Sequence, residues 1–309
     1  MMNALNKVKK FKQCKTSNTL KKSLLFKRIL LLILFLLPSQ LMAKDILTTT
    51  PVTYMLATQL MKGTTISTTY LAPKRYGIDR LNNWYANKGE QKAYQAGEQA
   101  TVAITLSALW AQDPLFIYAR QGNIKLIEVD ASQSLSPRSR GIASVTLPSA
   151  ERSIYAWLNP NNLSTMLSIV SEDLKKVWPE KAPVIEKNQQ QLLIDIRSLI
   201  NQQQQTLFAK EIDSVVLLSD QLEDFASANQ LFVVERLFKD ELEWTAQDKA
   251  SLKALLTESP ELWLVTTRKV SSQLKALLPD FNQILVVDSI DRWGRAGITL
   301  DKPLQRWLF

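Results

Sequence analysis

The sequence contains no histidine, and its only cysteine, Cys14, lies near the N-terminus. Imidazole and thiolate are the usual ligands of tight zinc sites and the groups on which most proteolytic triads and thiol enzymes depend. The residues after Cys14 therefore cannot build either kind of enzyme or an imidazole-based zinc site. Glycine is also scarce, with 8 residues in 309, and no phosphate-binding or dinucleotide-binding glycine loop can be written from them.

Acidic residues are missing from the first 43 positions, which carry nine lysines and arginines. This segment accounts for the whole formal net charge of +9, because the remainder has 29 basic and 29 acidic residues. A neutral remainder argues against binding to the phosphate backbone of nucleic acids. We therefore expect no nucleic-acid partner.

Long apolar runs are also absent; the longest continuous one in this N-terminal segment, residues 29–37, is nine residues long. A membrane-spanning helix needs roughly 20 apolar residues. A basic head, a short apolar core and a following "LMA" are typical of a secretory signal peptide. We predict cleavage after Ala43, so that residues 1–43 are removed and the mature chain lies in the periplasm; an uncleaved anchor is the alternative. The mature chain would then contain no cysteine and no disulfide.

Short apolar runs alternate with helical patterns along the remaining chain. This alternation predicts an α/β fold of two lobes, each a parallel sheet covered by helices, joined by one long linking helix. We expect an N-terminal lobe at 44–159, linking helices at 160–210 and a C-terminal lobe at 211–309. The predicted strands are residues 45–50, 64–72, 100–106, 124–131, 214–219, 231–237, 262–267 and 284–289.

The linking segment contains an amphipathic pattern from about residue 184 to residue 208. Its glutamine clusters interrupt the apolar stripe without breaking it, so we interpret them as the solvated face of one long helix. A shorter helix is expected from Pro160 to Trp178, with Asn159 as its cap and Pro160 at its first position.

The stretch "YAWLNPNNLSTM" (155–166) resembles a motif of the solute-binding proteins of zinc- and manganese-importing ABC transporters. In that family the motif is His-x-Trp-Leu-Asp-Pro-x-Asn, followed by a helix. "ILTTTPVTYMLATQLMKG" (46–63) is similar to the family's first strand and helix, and "KAPVIEKNQQQLLIDIRSL" is similar to a family segment with an asparagine followed by an apolar pattern. The resemblance covers most of residues 45–290, and the order of the motifs carries it. It implies a two-lobed monomer, not an enzyme, that binds a metal between its lobes and delivers it to an ABC permease.

The resemblance also implies which residues stand at the metal-ligand positions. Tyr155 stands at the histidine of the motif, Asp220 at the ligand that begins the second lobe, and Asp288 at the late carboxylate. The first ligand falls in the loop "LAPKRYGIDRL", where Tyr76 or Asp79 is the candidate. With no imidazole, this cleft has lost the family's zinc chemistry or changed it. Oxygen ligands would suit a hard divalent or ferric cation, and no cofactor beyond such a cation is expected.

Each candidate ligand also has a plain structural interpretation. Tyr155 can be a packed aromatic, Asp220 a helix cap, Asp288 a turn residue, and Tyr76 and Asp79 loop surface. Three functions stay open: a binding protein that delivers a hard cation or a metal complex; a degenerate paralogue that acts as an accessory protein; and, less favoured, an acid–base enzyme using cleft carboxylates.

Overall fold

The computed structural model describes residues 45–133, 141–294 and 296–309, so the predicted signal peptide lies outside the described residues. Among the described residues, eight strands form two four-stranded sheets, and the strands within each sheet pair in parallel. The first sheet has the order β2-β1-β3-β4 and the second has the order β6-β5-β7-β8. The strands are β1 (Ile46–Thr48), β2 (Thr68–Tyr70), β3 (Val102–Thr105), β4 (Ile127–Asp130), β5 (Ser214–Leu217), β6 (Phe232–Arg236), β7 (Trp263–Thr266) and β8 (Ile284–Val286).

Helices cover both sheets, which confirms the predicted α/β class. The α-helices are α1 (Pro51–Leu60), α2 (Ile78–Trp84), α3 (Glu90–Gly97), α4 (Leu115–Arg120), α5 (Pro160–Val177), α6 (Ala182–Ala209), α7 (Glu223–Ala228), α8 (Ala246–Glu258) and α9 (Ser272–Leu277). Within the three described ranges, no helix combines the length and apolarity needed to cross a membrane.

The central strands are buried because helices lie on both faces of each sheet. All three residues of β1 and all four of β3 are buried, and such strands read in the sequence as continuous apolar runs. The edge strand β6 differs, because four of its five residues are exposed and only Val233 is half-buried. β6 is therefore a solvated edge strand, as its charged residues Glu235 and Arg236 indicate.

The long linking helix is present as one continuous element. Its 28 residues span about 42 Å, enough to run along both lobes. On the N-terminal lobe, the side-chain amide of Asn188 donates to the carbonyl oxygens of Leu60 at 2.9 Å and Lys62 at 2.8 Å. At the other end, the amide of Ile212, just before β5, donates to Leu207 at 2.9 Å. The preceding helix α5 begins as expected, with Asn159 accepting from the amide of Asn161.

The segment predicted as a loop, residues 71–81, is a loop only as far as Gly77, and helix α2 begins at Ile78. Helix α2, a π-helical turn at Tyr85–Gly89 and helix α3 follow one another without a break. Three asparagines and two glycines dilute the apolar pattern here, and the buried apolar side chains are Ile78, Leu81, Trp84, Tyr85, Ala93 and Ala96. Asp79 consequently lies in the first turn of a helix and not in a loop.

The C-terminal tail returns from the second sheet to the first lobe and to the linking helix. The indole nitrogen of Trp307 donates to the carbonyl of Trp157 at 2.9 Å, and Trp157 donates its own indole N–H to the carbonyl of Ser289 at 2.9 Å. The side-chain amide of Gln59 on α1 donates to the carbonyl of Leu300 at 3.2 Å. The last residues therefore connect the lobes through buried tryptophans.

Candidate functional site

Parallel α/β sheets bind ligands outside the carboxyl ends of their strands, where the strand order reverses. In these two sheets the reversals lie between β1 and β3 and between β5 and β7. The loops after β2 and β8 meet directly: a Cβ atom on Gly77 would lie 2.4 Å from Oδ2 of Asp291 and 2.8 Å from Oδ1 of Asp79. A side chain at this position would push the two carboxylates away, so glycine lets them lie against this backbone. We call the meeting point of Gly77, Asp79, Asp291 and Tyr155 the interlobe junction.

Tyr155 lies at this junction, half-buried against the ring of Trp157 at 5.3 Å between ring centroids. Burial raises the pKa of the Tyr155 phenol, the carboxylates of Asp291, Asp220 and Asp79 raise that pKa further, and Arg292 lowers it. The hydroxyl therefore keeps its proton at neutral pH. A neutral phenol is a weaker cation ligand than the imidazole or carboxylate that the family resemblance implies for this position.

Asp220 is exposed at the carboxyl end of β5, beside a polar cavity of about 200 Å³. Charges of both signs line this cavity: Asp220, Lys239, Asp240, Glu241, Arg268 and Arg292. The helical turn that begins at Asp220 is capped by its neighbour Ser219, whose hydroxyl accepts from the amide of Gln221 at 3.3 Å. Asp220 is thus not the cap, and its carboxylate faces solvent and the cavity.

The Asp288 carboxylate is paired with Arg306, an arginine of the C-terminal tail. Nε of Arg306 donates to Oδ2 of Asp288 at 2.8 Å and Nη2 donates to Oδ1 at 2.9 Å, a bidentate pair. Nη1 of Arg306 also donates to the carbonyl oxygens of Arg292 at 2.8 Å and Trp293 at 3.0 Å. The guanidinium neutralises Asp288 and fixes the loop after β8.

Of the three predicted ligand positions, Asp220 lies near enough to Tyr155 for its charge to raise the tyrosine pKa, whereas Asp288 is paired with Arg306. Asp220 and Asp288 follow β5 and β8, which belong to the same sheet with β7 between them, so they do not face one another across the cleft. Two strand spacings separate them by roughly 10 Å at the sheet edge. Within the part of the chain that the structure describes, no three histidine, cysteine or acidic side chains are placed to hold a metal ion.

Of the two candidates after β2, Asp79 reaches the junction and Tyr76 lies beside it. Asp79 is exposed, and its carboxylate lies 3.8 Å from Nε of Arg80. The Tyr76 ring is half-buried with the Arg75 guanidinium 5.2 Å above it. Sequence reasoning missed Asp291, which is 6% exposed and meets Asp79 at Gly77. The only indication of Asp291 in the sequence is that it is an aspartate three residues after Asp288.

An aromatic cluster fills the space beside the junction. Trp293, from the loop after β8, lies 5.0 Å from the ring of Tyr54 and 4.9 Å from the ring of Tyr70, both in the N-terminal lobe. Nζ of Lys74 lies 5.1 Å from the Trp293 ring. The buried Tyr70 hydroxyl has no hydrogen-bond partner among the described residues, and burial raises its pKa. Trp293 of the C-terminal lobe therefore packs against aromatic rings of the N-terminal lobe beside the junction.

A buried carboxylate supports the first sheet at its carboxyl edge. Asp113 accepts from the amides of Leu106 at 2.9 Å and Leu115 at 3.1 Å. Burial raises the pKa of Asp113 from 3.8 to about 7, with Glu128 and Asp130 adding to the increase. The group fixes the loop after β3, so its protonation affects this edge of the sheet.

Asp113 should make the protein less stable as pH rises from about 4 to about 7. In this window the folded chain keeps the Asp113 proton and the unfolded chain loses it, so the free energy of unfolding falls by up to about 4 kcal/mol. Asp113→Asn removes this titration, and its free energy of unfolding should fall less over the same window. Urea unfolding across the window measures the difference; Asp213→Asn, at an exposed position, is the control and should follow the wild type. If the free energy of unfolding falls equally with pH in the wild type and in Asp113→Asn, Asp113 is not the group responsible.

No protein-family model matches the sequence, and no curated protein matches it. Solved structures do match. ZnuA is 16% identical, with 86% of this chain and 95% of that chain covered, at a TM-score of 0.63. The metal-dependent lipoprotein YcdH from Bacillus subtilis is 16% identical, with 84% and 90% covered and a TM-score of 0.63. The solute-binding protein FpvC from Pseudomonas aeruginosa in complex with Mn²⁺ is 11% identical, with 86% and 94% covered and a TM-score of 0.61. At these identities the likeness establishes the fold.

Proposed function

We propose that this chain is the solute-binding component of a metal-type ABC importer. The observation that carries the proposal is the arrangement of two parallel α/β lobes along one long helix, with the carboxyl ends of their sheets meeting at the interlobe junction. ZnuA, YcdH and FpvC share this fold over most of their lengths. The chain would act as a monomer outside the cytoplasm, where the basic and apolar residues 1–43 direct it, and would deliver its cargo to a permease in the inner membrane.

The cargo we propose is a metal complex with an organic chelator and not a bare ion. Arg306 already holds Asp288 in a bidentate pair, and the Tyr155 ring is half-buried against Trp157. The remaining carboxylates at the junction, Asp79 and Asp291, have no imidazole or thiolate beside them. A chelator that supplies its own metal ligands does not need them from the protein.

A degenerate accessory protein is the second candidate, and one observation favours it. Trp293 and Arg306 occupy the cleft with side chains of the chain itself. A protein whose cleft stays filled in this way would bind no cargo and would contribute to a metal-handling system only through contacts with other proteins.

Deletion of the gene from its host separates the two candidates. We expect the deletion to reduce uptake of a chelated metal and to leave uptake of the free manganese, iron and zinc salts unchanged. Uptake is measured with radioactive metals supplied either as salts or as chelates, and a plasmid copy of the gene is the control that restores it. Unchanged uptake of every form would contradict the transport proposal and support the accessory role.

A further inference from the structure

A second concavity, of about 500 Å³, lies on the N-terminal lobe next to the interlobe junction. This volume is within the range of sites that hold small organic molecules, whereas the cavity beside Asp220 is smaller than that range. Its walls are formed by the loop after β2, by α2 and by the π-helical turn. The lining residues are Tyr76, Asp79, Arg80, Asn83, Trp84, Asn87 and Lys88.

The π-helical turn at Tyr85–Gly89 shapes this concavity. Such turns are rare and are frequent at functional sites. The turn is held rigidly: the fully buried Tyr85 hydrogen-bonds to the hydroxyl of Thr49, and the ring of Trp84 lies against Gly89. A Cβ atom on Gly89 would come within 2.7 Å of the Trp84 ring, so only glycine lets the ring lie there. The walls are therefore preformed.

The lining combines cations, aromatic rings and amides. Arg80 and Lys88 are exposed, and the contact of Arg80 with Asp79, at 3.8 Å between two exposed groups, is too weak to occupy the guanidinium. Asn87 donates from its side-chain amide to the carbonyl and side-chain oxygens of Asn83 at 2.7 and 2.9 Å. This arrangement leaves the Asn83 amide nitrogen available to a ligand oxygen.

We propose that this concavity binds the flat, anionic organic part of a metal chelate, such as a ring bearing phenolate and carboxylate oxygens. Arg80 and Lys88 bind the oxyanions, the half-buried ring of Tyr76 contacts the flat ring, and Asp79 joins the concavity to the interlobe junction. The inference rests on the proposed function, because it names the part of the cargo that the protein recognises.

Equilibrium dialysis of the purified protein against the ferric complex of 2,3-dihydroxybenzoate tests the inference. We expect the wild type to bind this probe and the double variant Arg80→Gln/Lys88→Gln to bind it at least tenfold more weakly, because two charge-assisted contacts are lost. Arg197→Gln/Lys253→Gln removes the same charge from exposed positions outside the concavity. That control should bind like the wild type, and thermal melts should show that both double variants are folded.

Equal binding by the wild type and Arg80→Gln/Lys88→Gln would overturn the inference, and so would failure of the wild type to bind the probe. Neither result decides the proposed function, because the uptake experiment measures that separately. Lost uptake in the deletion strain together with unchanged binding by the double variant would leave the transport role standing and place the ligand elsewhere.

Discussion

Trp307→Ala should lower the free energy of unfolding by about 3–5 kcal/mol, the range for removing a large aromatic side chain from a core. The Trp307 side chain is 3% exposed, and its indole N–H donates to the carbonyl of Trp157. The carbonyl of Trp307 accepts from the side-chain amide of Gln203 on α6 at 2.7 Å. The substitution therefore leaves a cavity and removes the donor to the carbonyl of Trp157. Both changes fall where the C-terminal tail meets α6 and the loop that contains Trp157.

Urea unfolding monitored by circular dichroism measures this effect. Leu308→Ala is the matched control, because its side chain is 46% exposed one position along the same tail and should cost less than about 1 kcal/mol. Equal losses of unfolding free energy in the two variants would contradict the prediction, because burial of the Trp307 side chain would then add nothing specific to stability.

The alternation of apolar runs was sufficient to predict the layers of this fold. All eight strands lie inside their predicted ranges, because strands buried on both faces, such as β1 and β3, read as uninterrupted apolar segments. The linking helix was predicted at about 184–208 and extends over Ala182–Ala209, because its stripe of apolar residues continues past the glutamines. The missed helices α2 and α3 are short and rich in polar residues, so their helicity depends on tertiary packing.

The candidate site was less accessible to sequence reasoning for a different physical reason. Position in a motif pointed to Tyr155 and to Tyr76 or Asp79, but it could not show which charges meet in space. The carboxylates of Asp291 and Asp79 both lie against the backbone of Gly77, although Asp291 comes from the other lobe. Arg306 reaches Asp288 only because the tail folds back over the loop after β8, at a separation of 18 residues. Contacts of this kind depend on docking of the tail, which no local pattern encodes.

Arg306→Met should lower the free energy of unfolding by about 2–4 kcal/mol. The Arg306 side chain is 8% exposed, and methionine keeps most of its length while removing all the donors to Asp288, Arg292 and Trp293. Breaking a fully buried pair costs about 3–5 kcal/mol. The cost here is lower because the Asp288 side chain is 43% exposed and water can solvate the released carboxylate.

A double-mutant cycle between Arg306→Met and Asp288→Asn isolates the energy of the pair itself. We expect a coupling of about 1–3 kcal/mol, because a bidentate contact with a buried guanidinium is screened less than a surface pair. The matched cycle uses Arg268→Met and Asp240→Asn, whose contact is 2.8 Å long but whose arginine is 72% exposed, so its coupling should stay below about 1 kcal/mol. Similar couplings in the two cycles would mean that Arg306 acts through packing alone. A larger coupling for Arg306 would support the view that an internal cation holds the carboxylate at the position where the family resemblance implies a metal ligand.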